Sequence, residues 1–339
     1  MNSREIPGIQ SLRNEMVSPA VSGGGPMKKG TKTMDQYAGK TKKKYGKLRK
    51  QEAVIGWIFV LPAILFWLVW FLYPAVKAIS ISFYQYNYAT PETNAFVGIS
   101  NYIRLFHDPK FFAAMRHSFL MVLIIVPLQS LLSFSIAVLL NGKIRMKGFF
   151  RSSCYIPYVI SAMAVTIFFM YFFVKNGPAA RFFTLFGLEN VSWFTSTKYA
   201  MAFLIIVYIW QQVGFYMVIF IGGLQEVPIE LYEAAKVDGA NAWQRLVKIT
   251  IPLIKNTTYL VLTFGMINAL QVFDQIAAMS KQSPLGSPSG ATSTMVTFLY
   301  QQSFSYMDMG YGSAAAVILF LIIFALSAVR EMAGKRSDE

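Results

Sequence analysis

EVPIELYEAAKVDGANAWQRLVKITIPLI, residues 226–254, is a polar stretch between two long apolar segments. Its first half predicts a helix. Pro228 suits the first helical position, where a missing N–H costs nothing, and Glu233 lies near the positive end of the helix dipole. Ala234 and Ala235 are strong helix formers with almost no side-chain bulk. This helix therefore presents a bare face on which another protein can dock closely.

The second half of the stretch predicts a turn and a second short helix. Asp238 and Gly239 are a turn signal, because glycine accepts the left-handed conformation that ends a helix. A helix is then expected from Ala240 to Ile249, ended by Pro252. The whole stretch is therefore predicted to form a helix–turn–helix beside a membrane.

This stretch resembles the EAA loop of the permeases of ATP-driven (ABC) importers. The family pattern is Glu-Ala-Ala, three residues, Gly, nine residues, Ile, one residue and Leu-Pro, and Ile251 here replaces the usual Leu. The resemblance implies a coupling loop that seats in a cleft of a separate ATPase. The residues that it assigns to this contact are Glu233, Ala234, Ala235, Asp238, Gly239, Ile249 and Pro252.

Composition predicts an all-α integral membrane protein. The chain is 55% hydrophobic and 14% charged, whereas soluble domains carry about 25% charged residues. Six apolar segments approach the roughly 20 residues that span a bilayer, and their length excludes the short strands of a membrane barrel. With the resemblance, this implies the six-helix fold of type I ABC importer permeases. The predicted spans are 53–74, 118–140, 152–174, 199–224, 256–280 and 311–329.

Basic residues predict the orientation of the spans. The N-terminal tail, the loops at 141–151 and 225–255 and the C-terminus hold 23 of the 31 Lys and Arg residues, and the opposite side holds 8. Both termini and the 226–254 loop are therefore expected in the cytoplasm of a bacterial cell. The outer loop at 75–117 then leads from the first span into a transmembrane domain over 118–329.

The net charge of +15 arises mainly from the tail at 1–50. This tail has too little apolar content to fold alone and is predicted to be disordered. Its basic cluster abuts the first span, where such clusters are attracted to anionic lipid heads. Membrane lipid is therefore the expected partner of this charge, rather than nucleic acid. The tail at 330–339 is also placed in the cytoplasm.

Catalytic motifs are missing from the sequence. The nearest approach to a phosphate-binding loop, Gly39-Lys40-Thr41, has Met34 where the first glycine is required. Two histidines without neighbouring cysteines do not predict a metal site, and the single Cys154 excludes an intrachain disulfide. We expect no enzyme activity and no cofactor in this chain. MgATP is expected on the partner ATPase, which the resemblance implies.

Four further segments resemble carbohydrate-type permeases related to the maltose and glycerol-phosphate systems. They are 96–106 (FVGISNYIRLF), 222–239, 270–275 (LQVFDQ) and 310–316 (GYGSAAA). The resemblance covers roughly 54–330, and the first 45 or so residues have no counterpart in it. It implies a second permease, cytoplasmic ATPase subunits and an extracytoplasmic sugar-binding protein as partners.

Polar residues inside the predicted spans are candidates for the solute path, because such residues are costly in a membrane and usually face a cavity or a partner. Amides and a carboxylate suit sugar hydroxyls, and Tyr208, Trp210, Tyr216 and Phe273 are candidates for stacking on a sugar ring. The alternative is that the polar residues join helices inside the bundle. The candidates are Gln211, Gln212, Asn268, Gln271, Asp274 and Gln275.

Two other classes of function remain as alternatives. A self-sufficient channel or an ion-coupled secondary transporter of polar solutes needs no ATPase, but an ion-coupled transporter usually has more intramembrane charges than Asp274 alone. A membrane enzyme needs a cluster of catalytic groups, which the sequence lacks. The sequence does not distinguish a monosaccharide from an oligosaccharide or a polyol.

Overall fold

The computed structural model describes residue 53 and residues 55–142, 144–280 and 284–336. The chain divides into two compact units, Met1–Leu72 and Tyr73–Glu339. The predicted tail at 1–50 lies outside the described residues, as do the last three residues of the predicted tail at 330–339.

The described residues are mostly helical, with one small antiparallel sheet in which Tyr84 pairs with Phe96. Its strands are β1 (Tyr84–Gln85) and β2 (Ala95–Phe96). In chain order the helices are α1 (Ile55–Ile81), α2 (Ser100–Leu105), α3 (Pro109–Asn141), α4 (Lys147–Val159), α5 (Ala162–Phe172), α6 (Pro178–Thr184), α7 (Ala200–Gln225), α8 (Ile229–Val237), α9 (Ala242–Arg245), α10 (Ile251–Leu253), α11 (Lys255–Leu270), α12 (Asp274–Ser280), α13 (Met295–Tyr300) and α14 (Met309–Arg336).

Five stretches of the described chain are long and apolar enough to cross a membrane, and α4 with α5 makes a sixth if this bent pair is one span. The sequence predicts one span at 152–174, with Pro157 as a weak point in it. The structure instead turns by 98° between α4 and α5. Extended backbone at Ile160 and Ser161 ends the helical hydrogen bonding there, and Pro157 has already removed one donor within α4.

Other boundaries also differ from the prediction. Helix α1 extends to Ile81 and α3 begins at Pro109, so the predicted outer loop at 75–117 is partly helical and also carries the small sheet. Asp108 accepts a hydrogen bond from the Lys110 N–H and caps α3 ahead of its apolar part. The predicted span at 256–280 is interrupted at residues 271–273, between α11 and α12.

Helix α7 is the most buried of the candidate spans. It packs against α3, α4 and α11, and its buried side chains include Phe203, Leu204 and Phe220. At Gly214 a β-carbon would collide with the Cys154 carbonyl of α4, so this glycine permits the close contact of the two helices. The bent pair is thereby held against the centre of the bundle.

Candidate functional site

The 226–254 loop begins with α8, which ends in a Schellman motif. The Gly239 N–H bonds to the Lys236 carbonyl at 3.1 Å, and the Ala240 N–H bonds to the Ala235 carbonyl at 2.8 Å. Gly239 has a φ of +78°, so the left-handed residue that the sequence predicts lies at this position. Pro228 immediately precedes α8 rather than forming its first residue.

The second half of the loop is closed by hydrogen bonds that the sequence analysis missed. Asn241 and Gln244 form a capping box, with bonds of 2.8 and 2.9 Å between each side chain and the other's backbone N–H. The spacing of an Asn and a Gln three residues apart is the signal for it. The Tyr232 and Thr250 hydroxyls lie 2.8 Å apart, so α8 is tied to the end of the second helical segment.

Pro252 does not end the second helical segment, contrary to the prediction. Leu246–Thr250 forms a π-helical turn in which the Ile251 N–H bonds to the Leu246 carbonyl. The chain then continues through α10, with Pro252 in its first turn, where no donor is required. The segment therefore leads almost directly into α11.

The 226–254 loop exposes apolar side chains. Val237 is 88% exposed, Trp243 70% and Ile229 65%. The residues of the Glu-Ala-Ala triplet and the turn are mostly accessible: Glu233, Ala234, Asp238, Gly239 and Pro252 are exposed, and Ala235 and Ile249 are half-buried. Large exposed apolar patches on a polar loop mark interaction surfaces.

Two of the polar candidates join the two helix breaks. The Gln211 amide N–H donates to the Ile160 carbonyl at 3.0 Å, where α4 ends. Gln211 also accepts a hydrogen bond of 2.9 Å from Gln275, which lies in α12 just beyond the other break. Both glutamines are buried, so in this structure they hold helices together.

Asn268 also makes a contact within the bundle, because its amide donates to the Tyr216 hydroxyl at 3.0 Å. Tyr208 and Tyr216 are 3% and 0% exposed. The expectation that these two rings offer stacking surface is therefore wrong: both are packed in the core. Gln212 is half-buried.

Gln271 and Asp274 differ from the other candidates because both are exposed, at the break between α11 and α12. Phe273 lies between them in sequence, and its ring centroid is 4.9 Å from that of Tyr300. Tyr300 is in turn 4.9 Å from Phe304. Tyr300 and Phe304 lie between the predicted spans 256–280 and 311–329, and the Thr294–Thr297 capping box at the start of α13 is a signal for a helix there.

A family model described as "Binding-protein-dependent transport system inner membrane component" matches residues 129–338. The chain belongs to this family. The match covers the C-terminal part of α3 and all of α4 to α14, with the 226–254 loop and both helix breaks.

Among curated proteins, the arabinooligosaccharide transport permease AraP of Bacillus subtilis is 31% identical over 280 residues, which are 80% of this chain and 86% of that protein. The sulfoquinovosyl glycerol transport permease SmoG of Agrobacterium fabrum is 31% identical, with 82% of this chain and 89% of that protein covered. The trehalose/maltose transport permease MalF of Thermococcus litoralis is 29% identical, with 85% and 96% covered.

The fold is also that of a chain in a solved ABC transporter. A chain of a bacterial ABC transporter for import of the acidic polysaccharide alginate superposes with a TM-score of 0.72. The match covers 86% of this chain and 99% of that chain at 20% identity. The chain is thus a multi-pass permease subunit of a binding-protein-dependent transporter, with the type I fold, rather than a self-sufficient channel or a secondary transporter.

Proposed function

We propose that this chain is one of two permease subunits that form the membrane path of a carbohydrate importer. Cytoplasmic ATPase subunits supply the energy, and an extracytoplasmic binding protein delivers the sugar. The names of the relatives, which refer to arabinooligosaccharides, sulfoquinovosyl glycerol and trehalose/maltose, support a carbohydrate solute. In this proposal MgATP binds to the ATPase and the chain itself carries no cofactor.

The 226–254 loop is the proposed contact with the ATPase, and its exposed apolar side chains carry this proposal. Val237 and Trp243 flank the turn at Gly239 and are largely exposed. In a lone subunit they contact water, and burial of each in a cleft of the ATPase contributes favourable free energy, about 25 cal/mol per Å² of apolar surface. The charged Glu233 and Asp238 beside them set the orientation of the contact.

The backbone connects the 226–254 loop directly to α11, the first part of the predicted span at 256–280. The Tyr232–Thr250 bond ties α8 to the π-helical turn, and α10 leads from this turn into α11. When the ATPase subunits close on ATP, we propose that the loop moves as a unit and shifts α11 with it. The bundle then exchanges between inward and outward states whose populations ATP biases.

The solute face is our name for Gln271, Phe273, Asp274 and Tyr300, at the break between α11 and α12. A cavity of about 450 Å³ lies beside it, lined among others by Phe273, Tyr300 and Gln301. Aromatic rings stack on the apolar side of a sugar ring, and the exposed Gln271 and Asp274 offer groups for its hydroxyls. Broken helices with free backbone groups commonly form the sites of transporters.

The orientation is also part of the proposal. The excess of 23 Lys and Arg residues over 8 supports a cytoplasmic position for both termini and the 226–254 loop. The solute face and the small β-sheet then belong to the outer half of the bundle. Reporter fusions at Arg245 and near Phe96 test this placement, with a cytoplasmic signal expected for the first and an extracytoplasmic signal for the second.

The decisive experiment replaces exposed apolar residues of the loop by charged ones. Val237→Glu with Trp243→Glu adds no buried charge in the lone subunit, because both side chains are exposed. We expect normal insertion but loss of ATPase copurification and of labelled-sugar uptake. The matched control is Leu185→Glu, at a residue 78% exposed and remote in sequence from the loop, which leaves both intact. Normal copurification and uptake in the loop variant contradict the proposal.

A further inference from the structure

A second, larger cavity lies at the opposite end of the bundle from the 226–254 loop. Its volume is about 1110 Å³, which reaches the upper end of the roughly 300–1,000 Å³ of ligand pockets. The outer cavity, as we name it, is lined by the first turns of α3, by Thr197 and Met201, and by the loop at 284–293. It is large enough to admit an oligosaccharide.

The charged groups of the outer cavity are all basic. Lys110 and Arg116 line it, and none of its lining residues is Asp or Glu. This is notable because only 8 of the 31 Lys and Arg residues lie on the side of the membrane that we propose to be outer. Two of those eight therefore converge on one concavity.

Neither basic side chain is neutralised within the described residues. The ion pairs there are Arg104–Asp308 and Lys198–Glu189, and neither Lys110 nor Arg116 takes part in one. The neighbouring Asp108 uses both its oxygens, which accept hydrogen bonds from the Lys110 backbone N–H and the Tyr311 hydroxyl. Asp108 does not line the cavity, so within the described residues the two basic groups there have no acidic partner.

The remaining lining suits a polyhydroxylated anion. Thr197, Ser287 and Ser289 supply hydroxyl groups. The ring nitrogen Nδ1 of His117 lies 3.1 Å from the Ser293 carbonyl, so this ring is oriented by the loop that forms the opposite wall. The outer cavity and the cavity at the solute face also share part of a wall: Pro284, Leu285, Gln301 and Tyr306 line both.

We propose that the outer cavity binds the carboxylate of an acidic sugar before that sugar reaches the solute face. The inference rests on the proposed function, because it takes the solute to be a carbohydrate. A guanidinium matches the two oxygens of a carboxylate, and Lys110 adds a second positive charge. The cavity thereby selects a solute with an anionic substituent over its neutral counterpart, and the shared wall leads towards Phe273 and Tyr300.

The test uses the complete importer, copurified on a tag on this chain and placed in nanodiscs. Equilibrium dialysis measures binding of labelled trigalacturonate, a uronic-acid trisaccharide, and of galactotriose, its neutral analogue. The variant is Lys110→Gln with Arg116→Gln. The matched control is Lys175→Gln with Arg181→Gln, which removes two exposed charges of the proposed outer side that do not line the cavity.

We expect tighter binding of trigalacturonate than of galactotriose, a preference that falls with added salt. Loss of two charge contacts should weaken trigalacturonate binding about tenfold in the cavity variant and leave the control within about twofold. Equal binding of the two sugars, no binding of trigalacturonate, or equal losses in variant and control overturn the inference.

Two further arms of the experiment identify the source of the carboxylate and test the proposed function separately. If the cavity variant loses docking of the binding protein while trigalacturonate binding is unchanged, the carboxylate comes from that protein and the solute assignment is wrong. Uptake of neutral labelled sugars by cells expressing the wild-type chain tests the proposed function separately. Import of neutral sugars without a preference for trigalacturonate removes this inference alone, whereas absence of all sugar import removes the proposed function.

Discussion

The two ends of the bundle are built in different ways. At one end, the segment from the small sheet to α2 is fastened to the start of α14: Arg104 pairs with Asp308 at 2.7 Å, and the Met309 N–H bonds to the Tyr86 carbonyl at 2.9 Å. At the other end, the 226–254 loop closes on itself through Tyr232 and Thr250 and leaves apolar side chains in solvent. The start of α14 is thus bonded to other parts of the chain, whereas the turn of the 226–254 loop offers its apolar side chains to a partner.

This contrast separates residues that stabilise the subunit from residues that connect it to others. Buried polar groups such as Gln211 and Gln275 satisfy one another and belong to the first set. Exposed groups at the turn of the loop and at the solute face belong to the second. Substitutions in the first set are therefore expected to lower stability, and substitutions in the second set are expected to lower transport.

The largest effect is expected from Gly239→Asp. A non-glycine residue in the left-handed conformation is strained by about 1 kcal/mol, and the new carboxylate enters the proposed ATPase contact. We expect normal insertion, loss of ATPase copurification and uptake at background, measured with labelled sugar. Gly187→Asp is the matched control: its φ of +77° and open surroundings resemble those of Gly239, but it lies outside the loop. Equal defects in both variants would indicate strain alone.

The next largest effect is expected where the two helix breaks are joined. Gln211→Leu removes a partner from both Ile160 and Gln275, whereas Gln275→Leu removes one partner from Gln211. Each buried polar group left unpaired costs about 1–3 kcal/mol. SDS-induced unfolding in mixed micelles should therefore show a larger loss for Gln211→Leu. If Gln275→Leu proves the more destabilising, the two hydrogen bonds of Gln211 do not stabilise the helix breaks as described.

A pair of tyrosine variants compares the two ends directly. Tyr311→Phe removes the hydrogen bond to Asp108 and Tyr232→Phe removes that to Thr250, each worth about 1 kcal/mol. We expect Tyr311→Phe to lower the free energy of unfolding without changing sugar uptake per assembled complex. Tyr232→Phe should instead lower the sugar uptake obtained per ATP hydrolysed. Identical behaviour of the two variants contradicts the division of roles.

The smallest effect on assembly is expected from Asp274→Asn. The side chain is exposed, so its replacement should change stability by less than about 0.5 kcal/mol. If Asp274 contacts solute, the KM of uptake or the preference among sugars changes while copurification of the partners persists. Dissociation of the complex with an unchanged KM would show that Asp274 instead bonds the second permease.

Much of this organisation follows from the sequence, because it depends on local signals. The turn at Gly239 is predictable from the Asp-Gly pair and the alanines before it, and the five long apolar helices of the described residues are predictable from apolar length. Both predictions depend on residues that are close in sequence and not on distant contacts. The same holds for the assignment to the permease family, which rests on the motif at 233–252.

The features that the sequence did not predict depend on tertiary contacts. The 98° bend after Pro157 needs a donor for the Ile160 carbonyl, and that donor, Gln211, is 51 residues away. The division of the polar candidates into buried and exposed ones depends on which helix faces meet. The continuation of the chain past Pro252 depends on a π-helical turn, which amino-acid propensities alone do not indicate.

Crosslinking from Val237 tests the central claim most directly. The chain has one cysteine, Cys154, so Val237→Cys in a Cys154→Ala background carries a single thiol for a maleimide–benzophenone reagent. The account predicts a light-dependent adduct with an ATPase subunit in membranes, with a yield that changes on addition of ATP, and no such adduct from Leu185→Cys in the same background. Adducts from position 237 that contain no ATPase, or labelling of position 237 from outside intact cells, would contradict it.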